Sequence, residues 1–217
     1  MTEEKTKQSI GFILGTKLGM SQIFDEKNEV IPVTLVQAGP CHVIQVKSEK
    51  NDGYSACQLG FLPKKKTSKP IQGHLKKHLK DDKKGFKFIR EFDLKKDDNP
   101  KNGEIVKVDI FKKGDKVRIT GISKAKGFQG TVKRHSFSGA PATHGTKHAH
   151  RQPGSIGSTD AARVFKGKKM AGRMGSKTIT LKKVKVVDIK PEDNLLIIQG
   201  AVPGNVGGLL KISLDRR

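Results

Sequence analysis

This sequence predicts a mainly β fold that closes into a small barrel, broken by a lysine-rich insertion and a long irregular extension. Three observations predict it. Short runs alternate apolar and polar residues between turns, the period-2 mark of half-buried antiparallel strands rather than of a parallel sheet. A lysine-dense block, Pro63 to Lys101, interrupts those runs. A later stretch, Lys124 to Ser176, holds eleven Lys or Arg, one acid (Asp160) and nine glycines, and keeps neither a period of 2 nor one of 3.6.

Taken in order, "FILGTKLGMSQIF" (Phe12 to Phe24) reads as two short strands about a glycine-containing turn, and Val30 to Gly39 as the next strand. His42 to Ser48 and Tyr54 to Phe61 alternate as half-buried strands do. In the lysine-dense block, "KPIQGHLKKHLK" places Ile71, Leu75 and Leu79 on one helical face, and "FKFIREFD" reads as a strand. The β texture returns at Glu104 to Phe111, turns at "KKGD" into Lys116 to Ser123, and closes the chain with "TITLKKVKVVDI" and "NLLIIQGAV". "GAVPGNVGG" lacks the Gly-Lys-Ser/Thr ending of a phosphate-binding loop and reads as a turn between the last two strands.

The charge balance bounds the partners. Lys and Arg number 44 against 21 Asp and Glu, a formal +23 over 217 residues, and the hydrophobic fraction is 34%. Such an excess repels itself unless a polyanion neutralises it, so nucleic acid is the first partner to consider and an anionic membrane surface the second. Thr2 to Ile10 is polar and mixed in charge, unlike a signal peptide, and no apolar run approaches the roughly 20 residues of a membrane span. Cys41 and Cys57 lie in apolar strand-like runs and read as buried thiols of a reducing compartment. The expectation is a soluble intracellular protein.

The extension carries the candidate chemistry. His144, His148 and His150 have spacings that metal ligands use, but no Cys or carboxylate closes the set, and Lys147 and Arg151 would repel a cation. Ser155 or Ser158 with a histidine and Asp160 invites a triad, yet a glycine-rich loop offers no rigid frame and no G-x-S-x-G elbow is present. No catalytic residue, metal or cofactor is expected. The case for nucleic acid is positive: glycines let the backbone approach phosphates, and lone aromatics such as Phe128 and Phe137 can stack on unpaired bases. Folded RNA suits an irregular extension better than duplex DNA, for which no helix-turn-helix or zinc-finger pattern is visible. A general nucleic-acid-compacting protein and a metal-dependent hydrolase are the rival readings.

"GTKLGMSQIF", "SKAKGFQGTVKRHSFSGAPATHG", "HRQPGSIG", "ARVFKGKKMAGRMG" and "NLLIIQGAVPGNVGG" together resemble the family of the third protein of the large ribosomal subunit, in its bacterial form. The blocks span nearly the whole chain in the family's order. The resemblance implies a six-stranded translation-protein-type β-barrel with an inserted small α/β subdomain and a long irregular internal loop extension. On that basis 9–62, 102–123 and 177–217 are the three parts of the barrel, 63–101 the inserted basic subdomain, and 124–176 the RNA-penetrating loop. It implies a cytoplasmic structural constituent of the large subunit that is no enzyme. Such a protein binds large-subunit ribosomal RNA directly near its 3′ end, nucleates subunit assembly and supports the peptidyl transferase centre through its loop. Neighbouring large-subunit proteins are the implied protein partners; neither membrane nor homo-oligomer is expected.

Carried over by position, the outgoing arm supplies RNA-binding Lys124, Lys126, Gly127, Phe128, Gln129, Gly130, Lys133, Arg134 and His135. The middle supplies His144, Gly145, Lys147, His148, His150, Arg151, Pro153, Gly154, Ser155 and Gly157. The returning arm supplies Arg163, Phe165, Lys166, Lys168, Lys169, Met170, Arg173 and Met174. Ser158 stands where some relatives carry a methylated glutamine, so that modification is not expected here. The chain has 36 Lys and 8 Arg, favouring point-charge phosphate contacts over planar forked ones.

Overall fold

The computed structural model describes residues 10–25, 27–79, 85–94, 98 and 100–215. Thr2 to Ser9, read above as no signal peptide, and the lysine-block positions 80–84, 95–97 and 99 lie outside the described residues. The chain divides into two compact units: one runs to Ile122 and resumes at Thr178, and the other is Ser123–Lys177.

In the first unit, six strands close a barrel: β1 (Phe12–Phe24), β2 (Val30–Ala38), β7 (Lys116–Ile122), β10 (Thr178–Lys190), β11 (Leu195–Gln199) and β12 (Leu209–Leu214). Their order is β1-β12-β7-β10-β11-β2, every pairing is antiparallel, and closure leaves no open sheet edge. Alternate residues point inward, so Ile13, Val36, Val117, Ile119, Leu196, Ile198, Leu210 and Ile212 fill the interior.

Phe12–Phe24 is one strand, not two. A register shift between Lys17 and Gly19 bends it instead of ending it, as a bulge does. Gly15 serves close approach rather than a turn, since a Cβ there would meet the Gln37 carbonyl oxygen and the Val36 side chain, both at 2.8 Å. At the bend Lys17 is only 8% exposed, and its Nζ donates to the Val202 carbonyl at 3.0 Å. The Lys17 N–H donates to Gly208 O and the Gly207 N–H to Lys17 O, lacing the "GAVPGNVGG" turn onto β1.

The strands β3 (Cys41–Lys47) and β4 (Ala56–Lys64) alternate like barrel strands but pair elsewhere. They form a second sheet with β5 (Gly85–Asp93) and the two-residue β6 (Ile105–Val106), in the order β5-β4-β3-β6. The barrel's first part therefore stops at Ala38, not residue 62. The expected strand 104–111 shrinks to β6 and a 3-10 turn at Val108–Ile110, because Val108 and Phe111, three apart, must both be buried. One face of this sheet joins the barrel core through Cys41, Val43, Leu59 and Phe92, with the Phe12 and Phe92 rings stacked at 4.6 Å. The short helix α1 (Glu49–Asp52) links β3 to β4, and α2 (Lys69–His78) covers the other face. There Leu75 and Leu79 pack on Ile44 and Phe86, whereas Ile71 of the predicted stripe stays exposed.

Both cysteines are buried free thiols, and burial pushes each up to about 12. Neither should react with a thiol reagent at pH 8 in the folded protein, and both should react once it is denatured. The substitution Ile212→Ala, at a fully buried barrel position, should lower unfolding free energy by about 2–5 kcal/mol in a chemical denaturation experiment.

Candidate nucleic-acid interface

The second unit begins as a zipped stem. Ser123 N–H donates to Lys177 O at 2.9 Å, Lys177 N–H returns a bond to Ser123 Oγ at 3.1 Å, and Lys126 N–H reaches Met174 O at 3.0 Å. The ladder continues as β8 (Gly127–Gln129) against β9 (Gly172–Met174), pairing Gly127 with Met174, Phe128 with Arg173 and Gln129 with Gly172. Glycine is required at Gly175, where φ is +80° and a Cβ would sit 2.1 Å from Lys124 O. A one-turn helix, α3 (Thr131–His135), follows β8 and carries Lys133, Arg134 and His135.

The sequence reads 124–176 as a long irregular extension with no persistent period, and the structure adds to that reading a short paired stem at its base. Its signal is visible in retrospect: "GFQG" and "GRMG" are matched glycine-bounded segments, of which Gly127–Gln129 and Gly172–Met174 pair with each other. Regular periodicity needs longer elements than three residues, so neither segment registers on that test.

Two further crossings order the interior of the unit. Arg134 Nη1 donates to Met170 O at 2.7 Å, and His135 Nε2 lies 3.1 Å from the same oxygen. Gly172 makes room for this clasp, since a Cβ there would approach Arg134 Nη1 to 2.6 Å. Further along, Ala140 N–H donates to His150 O at 3.0 Å, and a Cβ on Gly139 would lie 2.4 Å from that oxygen. His150 Nδ1 sits 3.3 Å from Pro141 O, so "ATHGTKH" is a closed turn with His144 and Gly145 both at positive φ. Ser155 Oγ bonds Gly157 O at 3.0 Å, and the Arg163 guanidinium lies 5.4 Å over the Phe165 ring.

The predicted RNA-binding residues divide into two sets. Gln129, Arg134, His135, His150, Met170 and Met174 are half-buried, and all but Met170 and Met174 spend side-chain polar atoms inside the unit. The remainder are exposed: Lys124, Lys126, Gly127, Phe128, Gly130, Lys133, His144, Gly145, Lys147, His148, Arg151, Pro153, Gly154, Ser155, Gly157, Arg163, Phe165, Lys166, Lys168, Lys169 and Arg173. Phe128 is 77% exposed and Phe165 56%, an unusual exposure for rings on an ordered backbone. Among the described residues, none of the eleven Lys and Arg of 124–176 is in an ion pair. The surface is thus an uncompensated field of cations with flat apolar rings between them. No group of three or more His, Cys, Asp or Glu placed to hold a metal occurs among the described residues.

The family model of ribosomal protein L3 matches residues 87–201. The chain is 51% identical to the large ribosomal subunit protein uL3 of Natranaerobius thermophilus over 202 residues, covering 92% of this chain and 94% of that one. It is 50% identical to uL3 of Syntrophotalea carbinolica, covering 94% and 98%, and 48% identical to uL3 of Carboxydothermus hydrogenoformans, covering 92% and 95%.

Removing the internal clasp tests the ordering of this surface. Loss of a hydrogen bond from a charged donor is worth about 1.5 kcal/mol or more, roughly tenfold in local opening. Arg134→Ala should therefore speed tryptic cleavage after Lys168 and Lys169 about tenfold, with the unfolding midpoint of the barrel unchanged.

Proposed function

The chain belongs to the ribosomal protein L3 family and is a structural constituent of the large ribosomal subunit, not an enzyme; from that premise we propose how its parts serve that subunit. The barrel, a translation-protein-type closed sheet, with the second sheet built on it, is the folded anchor. Residues 124–176 are the RNA-penetrating loop, which binds large-subunit ribosomal RNA directly near its 3′ end, helps nucleate assembly and supports the peptidyl transferase centre without doing chemistry.

One observation carries this reading: eleven cations and two exposed phenylalanines stand on an ordered backbone with a single acid among them and no ion pair. A surface so charged is disfavoured alone and favoured against phosphates, where each neutralised phosphate releases counterions. The division of residues gives each a role. Arg134, His135 and His150 shape the loop from within, Lys124, Lys126, Lys133, Lys147, Arg151, Lys166, Lys168, Lys169 and Arg173 meet phosphates, and Phe128 and Phe165 meet bases or riboses. Glycines 127, 130, 145, 154 and 157 are exposed and keep the backbone close enough to the RNA to donate its own N–H groups.

The test is the salt dependence of binding to a transcript of the 3′ region of large-subunit ribosomal RNA. Lys166→Gln with Lys168→Gln and Lys169→Gln should lower the slope of log K against log salt by about one per lysine. An unchanged slope would overturn the assignment of this surface to phosphate.

A further inference from the structure

A second cationic face lies in the first unit, in residues outside the loop. The outward positions of β7 are Lys116, Arg118 and Thr120, alternating with buried Val117, Ile119 and Gly121. Across the ladder Lys116 directly opposes Lys185, Arg118 opposes Ser213, and Thr120 opposes both Lys211 and Thr180, the two threonine hydroxyls being 2.9 Å apart. Register shifts between Leu181 and Val184, so Lys182 and Lys183 together stand opposite Arg118. Lys183 takes φ +56°, a left-handed conformation that disfavours any side chain. A bulge re-aims side chains, and this one sets Lys182 into a cleft with Arg118, Thr120, Thr180, Lys211 and Ser213.

Two features of the face are unfavourable for the free protein: like charges directly opposed across strands, and a strained lysine at a bulge. We propose that this cleft and the adjoining Lys116 and Lys185 form a second RNA backbone site, in which ammonium, guanidinium and hydroxyl donors surround a phosphate. The proposal rests on the ribosomal reading above. Acids are present: Asp93 and Asp98 also line the cleft, Arg118 Nη2 lies 3.2 Å from Asp215 Oδ1, and Lys211 Nζ donates to Glu91 O at 2.6 Å. Arg118 and Lys211 keep further donors for a phosphate, and Lys116, Lys182, Lys183 and Lys185 are exposed and in no ion pair among the described residues. An acidic protein is the weaker fit. Phe12 and Phe92 at the cleft are buried and stacked on each other, so among the described residues no exposed aromatic lines it to anchor a protein partner.

The full chain with Lys182→Gln, Lys185→Gln and both together should be titrated against the same transcript across a salt series. Each substitution should lower the salt slope by about one and weaken binding several-fold at low salt, with a melting midpoint equal to or above that of the parent. Unaltered slopes for the cleft variants, with the loop triple variant still lowering its own, would overturn this site and leave the loop reading standing. Unaltered slopes for both sets would overturn the loop reading as well. Polyglutamate is the control: cleft variants that lose polyglutamate binding while keeping the RNA slope would assign the face to an acidic protein and overturn the proposal.

Discussion

The pairing of β7 with β10 is the constraint on which the rest of the molecule depends. Ile122 stands opposite Thr178 in the barrel ladder, and the next residues outward, Ser123 and Lys177, bond each other. The two ends of a very long excursion are thereby held a strand's width apart. Closing a loop costs entropy that grows only as the logarithm of its length, so a barrel whose ends already match can host the whole of Ser123–Lys177 with little further penalty.

Around that constraint the chain uses opposite chemistry in its two units. The barrel hides aliphatic side chains and seals itself by closure, and even its buried Lys17 is given a carbonyl to bond. The loop unit has almost no core to hide. It holds its shape with backbone crossings, glycines at tight approaches and the Arg134 clasp, and leaves its other ten Lys and Arg side chains exposed. This is how a sequence poor in apolar residues obtains a defined surface without collapsing.

The sequence made some of this legible and hid the rest for identifiable reasons. Alternation located the strands of 30–39, 116–123 and 178–199 because each buries one face, but alternation is blind to partners, so 42–48 and 54–61 looked like barrel strands. Ile44 beside Val43, both fully buried, was the available hint that β3 is covered on two faces. The continuity of Phe12–Phe24 was masked because Gly15, which serves close approach to Val36 and Gln37, looks in sequence like a turn glycine. In the loop, charge and glycine content pointed to the candidate interface now proposed, while the inward turn of Arg134 and His135 toward one carbonyl has no counterpart in composition. The cleft of Arg118, Lys182 and Lys211 was invisible for the same reason, being assembled from three strands far apart in the chain.

The stem has a kinetic meaning. Because 123–129 and 172–177 are bonded to each other, residues 130–171 are tethered at both ends by elements of the protein itself. On the proposed RNA-binding reading, a lodged stem would make every contact between its ends intramolecular, at an effective concentration set by tether length rather than by the number of free molecules. Individually weak lysine contacts would then act together, and the stem, beyond any contacts of its own, would set the avidity of the whole loop.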